Sequence, residues 1–442
     1  MPARFGDDRR SYITMLERRI LNRTAKIAII GLGYVGLPLA IDFCKAGFNT
    51  IGIDIDERRV ESIKNHCSYI LDVTSTDLNN DKLSVTTDFA NLKNVDISII
   101  CVPTPLLETR EPDMSYITSA TQKIGEYLHS GQLVALESTS YPGTTREIVM
   151  PILETSGLSL GKDFYLVVSP ERIDPGNKRY ILKNTPKLVS GITAECTRIG
   201  ELLYSQLCDE VVIASSPEIA EMAKIFENSF RNVNIALVDE LAMLCDRMSI
   251  DAKEVIDAAA TKPFGFMPFY PGLGIGGHCI PVDPLYLTWI ARRFDTSMRL
   301  VELSDEINSF MPNYAVSKIE DALSKRGKST KNAIIFILGI TYKKDTNDLR
   351  ESPALKLVEL LKGKGARIYY NDPYVDVITI GGKTIDSMEL TEAILNESDC
   401  VVIATEHSCY NYKWIAKSSK ILIDPKKACQ RIAKITTKGA IR

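Results

Sequence analysis

The sequence predicts an α/β protein in which two doubly wound domains are joined by a long helix and a mostly helical middle. Short Val/Ile-rich runs alternate with helical stretches from Lys26 to about residue 213, and the alternation resumes near residue 331. Near-continuous apolar runs suit strands buried on both faces of a parallel sheet, and strand–helix alternation winds such strands into one layer with helices on either side. Between the two stretches, an apolar stripe of helical period runs from Ile219 to Met248 with no glycine or proline inside it.

The elements follow in chain order. Residues 1–25 read as an appended helix with apolar Ile13, Leu16, Ile20 and Leu21, suited to packing or to an oligomer contact. Strands are expected at 26–31, 49–54, 96–103, 132–139, 164–170 and 187–191. Ser216 then offers an N-cap and Pro217 a first helical position. In the helix they open, Ile219, Ala223, Phe226, Phe230, Val233, Leu237, Leu241, Leu244 and Met248 fall within roughly 40° of one line at about 100° per residue. A helix of that length can join two domains and offer an oligomer interface. Strands are expected again at 332–340, 366–372, 399–406 and 420–425, with a helix over 352–365. At roughly 150 residues per domain the chain has room for about three domains. The expected boundaries are 1–25, 26–215, 216–325 and 326–442.

Composition narrows the function classes. The 442 residues are 45% hydrophobic and 25% charged with a net charge of −3, so no basic surface points to nucleic acid or to a polybasic membrane contact. The charged start MPARFGDDRR has no apolar segment behind it, no run is long enough to span a bilayer, and a cytoplasmic protein is expected. The ten cysteines include no CxxC pair, which argues against zinc or a redox pair, and no metal is expected. Only His66, His129, His278 and His407 are available to any chemistry that needs a histidine base, and His278 reads as a loop residue.

Three constellations carry chemistry. Gly31-Leu-Gly33-Tyr-Val-Gly36 follows the first expected strand and opens a helix; its glycines permit a tight turn, close backbone approach to a pyrophosphate and helix–strand packing. The second strand ends at Asp54, where a carboxylate can bind a ribose 2′-OH and select NAD over NADP, although Arg59 nearby can serve a cofactor phosphate or the adenine. This is a Rossmann-type dinucleotide site. The second constellation, PGLGIGGHCIPVDP (271–284), brings Gly272, Gly274, Gly276 and Gly277 up to Cys279, with Asp283 four residues on. Cys279 reads either as a nucleophile or as a small buried residue, and Asp283 as a functional carboxylate or only an N-cap. In the third, Lys224 and Asn228 share one helix face, roughly 140–180° from the apolar stripe, which is the back of a solvated helix unless domains cover it. Thr139 and Glu171 lie just past strand ends, where open α/β sheets bind ligands.

Together GLGYVGLPLA (31–40), CVPTP (101–105), ESTSYPGTT (137–145), VSPERIDPG (168–176), EIAEMAKIFENSFRNVNIA (218–236), PGLGIGGHCIPVDP and YKKDTNDLRESPA (342–354) resemble the UDP-glucose/GDP-mannose dehydrogenase family over essentially the whole chain. The resemblance implies an N-terminal NAD domain, a helical dimerisation centre, a C-terminal UDP-binding domain and a homodimer or higher homo-oligomer. It further implies a four-electron oxidation of the C6 hydroxymethyl of a UDP-sugar to a carboxylate. Cys279 would form a thiohemiacetal and then a thioester, Lys224 and Asn228 would stabilise the oxyanion, Asp283 and Thr139 would hold a water, and Glu171 would serve thioester hydrolysis. No histidine is required. Tyr34, Val35, Pro103, Thr104 and Arg350 are expected at the cofactor. Arg172, Lys343 and the stretch Tyr270–Gly276 are expected at the sugar nucleotide.

For the substrate, TKPFGF (261–266), FYPG (269–272) and GGHCIPVDPLYLTW look most like the branch acting on UDP-N-acetylglucosamine, with UDP-N-acetylgalactosamine, UDP-N-acetylmannosamine and UDP-glucose as alternatives. Leu273 stands where that branch has proline. No arginine lies in 262–266, where the UDP-glucose enzymes place one, and Lys262 is the nearest base. Remoter alternatives are a two-electron dehydrogenase of the 6-phosphogluconate type, which would not need Cys279, and a silent nucleotide-binding sensor.

Overall fold

A computed structural model describes residues 14–70, 72–174, 176–177 and 179–429. The chain divides into two compact units, Met1–Lys224 and Ile225–Arg442, which part within the helix Pro217–Met248. Among the described residues, no helix is long and apolar enough to cross a membrane.

The first unit is built on an eight-stranded sheet of β1 (Lys26–Ile30), β2 (Asn49–Ile53), β3 (Leu83–Thr86), β4 (Ile97–Ile100), β5 (Leu133–Leu136), β6 (Tyr165–Val168), β7 (Lys187–Gly191) and β8 (Val211–Ile213). Their order is β3-β2-β1-β4-β5-β6-β7-β8. The fully buried β4, β5 and β6 are the Ile/Val/Leu runs that the sequence marks, and apolar clusters cover both faces of the sheet. Two features depart from expectation. The short β3 and β8 are additional strands. And β7 runs antiparallel to β6, with Val168 opposite Ser190, where an all-parallel sheet is expected. Among the described residues the link between β6 and β7 holds a three-residue 3-10 turn, Leu182–Asn184, and no crossover helix, and the chain returns antiparallel.

The appended N-terminal segment forms the helix Met15–Leu21, opened by a capping box between Thr14 and Glu17. Leu16 and Ile20 enter the core of the first unit, Glu17 pairs with Arg198 and Arg19 with Asp96. Leu21 stays half exposed, and Ile13 lies outside the described residues.

The second unit holds the remainder of the long helix, helices Ala252–Ala259, Asp283–Arg293 and Arg299–Ser324, and a smaller α/β layer. In chain order its strands are β9 (Ile334–Leu338), β10 (Arg367–Asn371), β11 (Val377–Ile380), β12 (Lys383–Asp386), β13 (Cys400–Ile403) and β14 (Leu422–Ile423). The parallel sheet has the order β10-β9-β13-β14, and β11 and β12 form a separate hairpin over the left-handed pair Gly381-Gly382. The two α/β layers share one joint. In the first, the Gly31 N–H donates to Ile53 O (2.8 Å) and the Leu32 N–H to Asp54 Oδ2 (2.7 Å). In the second, Gly339 donates to Asn371 O (2.9 Å) and Ile340 to Asp372 Oδ2 (2.7 Å). A turn just past the first strand is thus clamped by an acid just past the second, once in each unit.

The long helix inverts the usual amphipathic arrangement. Its apolar stripe is the exposed face, with Phe226 59%, Leu237 62% and Leu244 54% exposed, whereas its polar residues Glu221, Lys224, Ser229, Asn232 and Asp239 are buried. The solvated helix back that periodicity alone suggests for Lys224 does not exist.

Candidate active site

In the first unit the dinucleotide motif has the expected form. Gly31 sits at φ +94°, where a side chain is strained, and a Cβ there would lie 2.6 Å from Cys101 O. A Cβ on Gly36 would lie 1.9 Å from Gly31 O, so this glycine lets the helix Gly36–Lys45 close on the turn. Gly33 faces open space, and no side chain caps the first turn of that helix, which leaves backbone N–H groups at a helix N-terminus for a phosphate. Asp54, 5% exposed, already accepts from Leu32 N, Asp56 N (2.9 Å) and Arg59 Nη1 (3.3 Å). Its oxygens keep lone pairs for a ribose hydroxyl. Tyr69 adds a contact that the sequence reading missed: its hydroxyl donates to Leu32 O, and Arg59 stacks on its ring at 5.9 Å. These residues fit NAD. Tyr34 and Val35 are half-buried in the turn, Pro103 is exposed and Thr104 buried in the loop after β4. For Gly36→Val we expect a loss of about 1–3 kcal/mol from overpacking, with NAD affinity down tenfold or more in a fluorescence titration.

Past the ends of β5 and β6, paired so that Leu136 lies opposite Val168, come Thr139 and Glu171. Glu171 Oε1 accepts from the N–H groups of Arg172 (2.6 Å) and Ile173 (2.5 Å), and Oε2 faces Lys187 Nζ at 3.3 Å. Burial pushes this carboxyl up, but Lys187, the Ile173 N–H and Lys224 outweigh it and hold it below the usual range. Arg172 donates to Pro186 O (2.9 Å). The Thr139 loop is pinned from the long helix: Glu221 accepts from Gly143 N (2.7 Å), Thr145 N (2.9 Å) and Thr145 Oγ1 (2.6 Å). Burial raises the Glu221 carboxyl to about 7 against the pull of those donors. Lys224, one turn further along the helix, is 8% exposed and makes no hydrogen bond or ion pair among the described residues.

In the second unit, Asp283 Oδ2 accepts from Asn228 Nδ2 at 2.5 Å. Asp283 is 1% exposed and opens the helix Asp283–Arg293, and Cys279 O accepts from the N–H groups of Val282 (3.1 Å) and Asp283 (2.8 Å). Cys279 is exposed, so the buried-residue alternative falls away. It lies three residues before Val282, the N-cap of that helix, and its carbonyl closes the turn that leads into it. With Val282 as the N-cap, Asp283 is the first helical residue, and its carboxylate accepts from Asn228.

The glycine-rich stretch is locked at several points. Gly272 N donates to buried Asp239 (3.0 Å), and burial pushes that carboxyl to about 7. Gly274 lies under Asn308 O, Gly276 and Gly277 under Tyr342, and Gly277 N donates to Arg350 O (2.9 Å). Arg350 itself pairs with Asp348 at 2.6 Å, while Tyr270 donates to Asp257 (2.9 Å). Lys343 lends its carbonyl to Thr341 and Thr346. Leu273, in place of proline, is a core residue of this unit, and Lys262 is exposed over Phe264.

His407, unassigned by the sequence, proves structural. It is fully buried, its Nδ1 accepts from Asp345 N (2.9 Å) and its Nε2 therefore donates to Asp372 (3.0 Å). That imidazole ties the loop carrying Lys343 to the strand end at Asp372.

A dinucleotide turn followed by an exposed cysteine flanked by glycines, amide and carboxylate defines an NAD-dependent dehydrogenase. The chain belongs to the UDP-glucose/GDP-mannose dehydrogenase family, whose NAD-binding, central and UDP-binding domain models match residues 25–208, 218–310 and 336–431. It is 36% identical over 385 residues to the UDP-N-acetyl-D-glucosamine 6-dehydrogenase of Salmonella typhi, covering 86% of this chain and 90% of that one. It is 38% identical to the protein CapL of Staphylococcus aureus, over 90% and 95% of the two chains. The solved UDP-D-ManNAc dehydrogenase of Pyrococcus horikoshii superposes with a TM-score of 0.83 at 34% identity, over 91% and 96% of the chains. This protein is therefore an NAD-dependent UDP-sugar dehydrogenase.

Proposed function

We propose that the chain oxidises the C6 hydroxymethyl of UDP-N-acetylglucosamine to the carboxylate in two oxidations, with Cys279 as covalent nucleophile. The supporting observation is the Asn228–Asp283 hydrogen bond within the helix start whose first accepting carbonyl belongs to Cys279. The turn of Gly31, Gly33 and Gly36 together with Asp54 would hold NAD, which when bound would supply the hydride acceptor for both oxidations. After the first, Cys279 Sγ adds to the C6 aldehyde, and the Lys224 ammonium and Asn228 carboxamide meet the charge developing on oxygen. After the second, the product is a Cys279 thioester. Water positioned by Thr139 and Asp283 then attacks the acyl carbon, its proton passes to Glu171, and the C–S bond breaks to release the acid and the thiolate.

The residues at 270–276, Lys343 and Arg172 bind the sugar nucleotide in this reading, and Arg350 serves the cofactor. We place the domain boundaries at 26–215, 216–325 and 326–442. The exposed apolar stripe of the long helix supports a homo-oligomer, a dimer at least, and the charge pattern supports a cytoplasmic enzyme. A second reading keeps the chemistry and takes UDP-N-acetylmannosamine, on the likeness to the Pyrococcus protein. NADH release with UDP-glucose, UDP-N-acetylglucosamine, UDP-N-acetylgalactosamine and UDP-N-acetylmannosamine, side by side, decides between them. We expect two NADH per UDP-N-acetylglucosamine; one per sugar removes the four-electron reading, and a faster sugar replaces the substrate.

A further inference from the structure

The reversed strand β7 puts a lysine where a parallel strand would not. Because β7 runs antiparallel to β6, its first residue, Lys187, lies at the carboxyl end of β6 instead of the far edge of the sheet. There its ammonium is 2.8 Å from Glu137 Oε2, at the end of β5, and 3.3 Å from Glu171 Oε2. Lys187 is 2% and Glu137 0% exposed by side chain, with Glu171 at 13%. Burying such a cluster costs desolvation that an apolar filling would avoid, which makes a purely structural role an expensive one.

The two carboxyls do not share one state. Burial raises both and Lys187 lowers both, yet Glu137 rests at about 6 while Glu171 falls below the ordinary range. Glu171 is lowered further by the Ile173 N–H and by Lys224, whereas Glu137 is raised further by the neighbouring Glu171.

We propose that Lys187 is a positioning residue for the hydrolytic step, holding the Glu171 carboxylate in one orientation and ionised beside the strand end that leads to Thr139. The proposal rests on the reading of Glu171 as the acceptor of the water proton. The charged and titratable groups facing Glu171 are Lys187 from β7, Glu137 from β5, Lys224 from the long helix and Asp42 from the helix Gly36–Lys45. Cys101, past β4, and Cys208 also lie within its field. Only two of these are cations. Removing Lys187 therefore raises the Glu171 carboxyl, so fewer chains are ionised at a given pH and the acid-side limb of turnover moves to higher pH.

The test compares Lys187→Met, Lys187→Arg and Glu171→Gln with the parent enzyme, using NAD and UDP-N-acetylglucosamine, or whichever of the four sugars turns over fastest. NADH is followed through the first turnover and the steady state from pH 5 to 10. For Lys187→Met we expect a first-turnover burst of parental size. Steady-state turnover should be slowed at least tenfold at pH 7, with an acid limb displaced upward by about 1–3 units. Lys187→Arg should restore the parental limb. Should Lys187→Met not fold, Glu137→Gln/Lys187→Met removes the stranded charge and is read the same way. An unshifted limb in the folded Met variant, or no rescue by arginine, overturns the proposal for Lys187. Parental turnover in Glu171→Gln instead overturns the reading of Glu171 on which it rests.

Discussion

Cys279→Ser is expected to lower acid formation about a thousandfold or more, the scale of loss on removing a covalent nucleophile, while fold and NAD affinity stay as in the parent. A serine hydroxyl remains protonated near neutral pH, and His407 is committed to Asp345 and Asp372 inside the second unit. The substitution is also mild. Cys279 is exposed, and its structural contribution is its carbonyl, which accepts from Val282 and Asp283 whatever the side chain. A melting temperature within about one degree of the parent is expected for an exposed isosteric change. Acid production by quenched-flow chromatography checks the loss, and near-parental turnover would end the covalent mechanism.

The physical reasons for what the sequence could and could not disclose are visible residue by residue. Buried strands such as Leu133–Leu136 carry unbroken apolar runs because both faces are covered, so they read directly. The edge strands Leu83–Thr86 and Val211–Ile213 are short and partly exposed, and their patterns do not stand out from loops. The hairpin of β11 and β12 did leave a signal, alternating residues about Gly381-Gly382, a pair suited to a tight turn. Periodicity located the long helix to the residue at its start, but it reports which face is apolar and not which face is covered. Period alone therefore leaves Lys224 open between a solvated back and a covered face, and burial selects the covered face. The glycine turn, Cys279 and Asp283 were legible because each is local. The partnership of Lys187 with Glu137 and Glu171 was not, since it joins residues 50 and 16 positions apart and depends on a strand reversal that no local pattern encodes.

Lys224→Met separates function from stability most sharply. A nearly buried ammonium with no hydrogen bond or ion pair among the described residues carries a desolvation cost that only its longer-range attraction to Glu171 offsets there. Methionine has a similar reach without the charge, so the variant is expected to melt at the parental temperature or higher. Glu171 loses one of its two cations but keeps Lys187 and its two backbone donors, so it remains a carboxylate. Turnover is a different matter. If the ammonium serves the oxygen that gains charge when Cys279 adds to the aldehyde, its removal should cost about 10²–10³ in kcat, the range for one lost oxyanion donor. NAD affinity should not change. Calorimetry and steady-state kinetics on the same preparation check both halves. A cooperative fall in melting temperature with turnover preserved would make Lys224 a packing residue and leave Asn228 to meet the oxyanion without it. The opposite result, a stable and slow enzyme, is what an ammonium kept for a ligand produces.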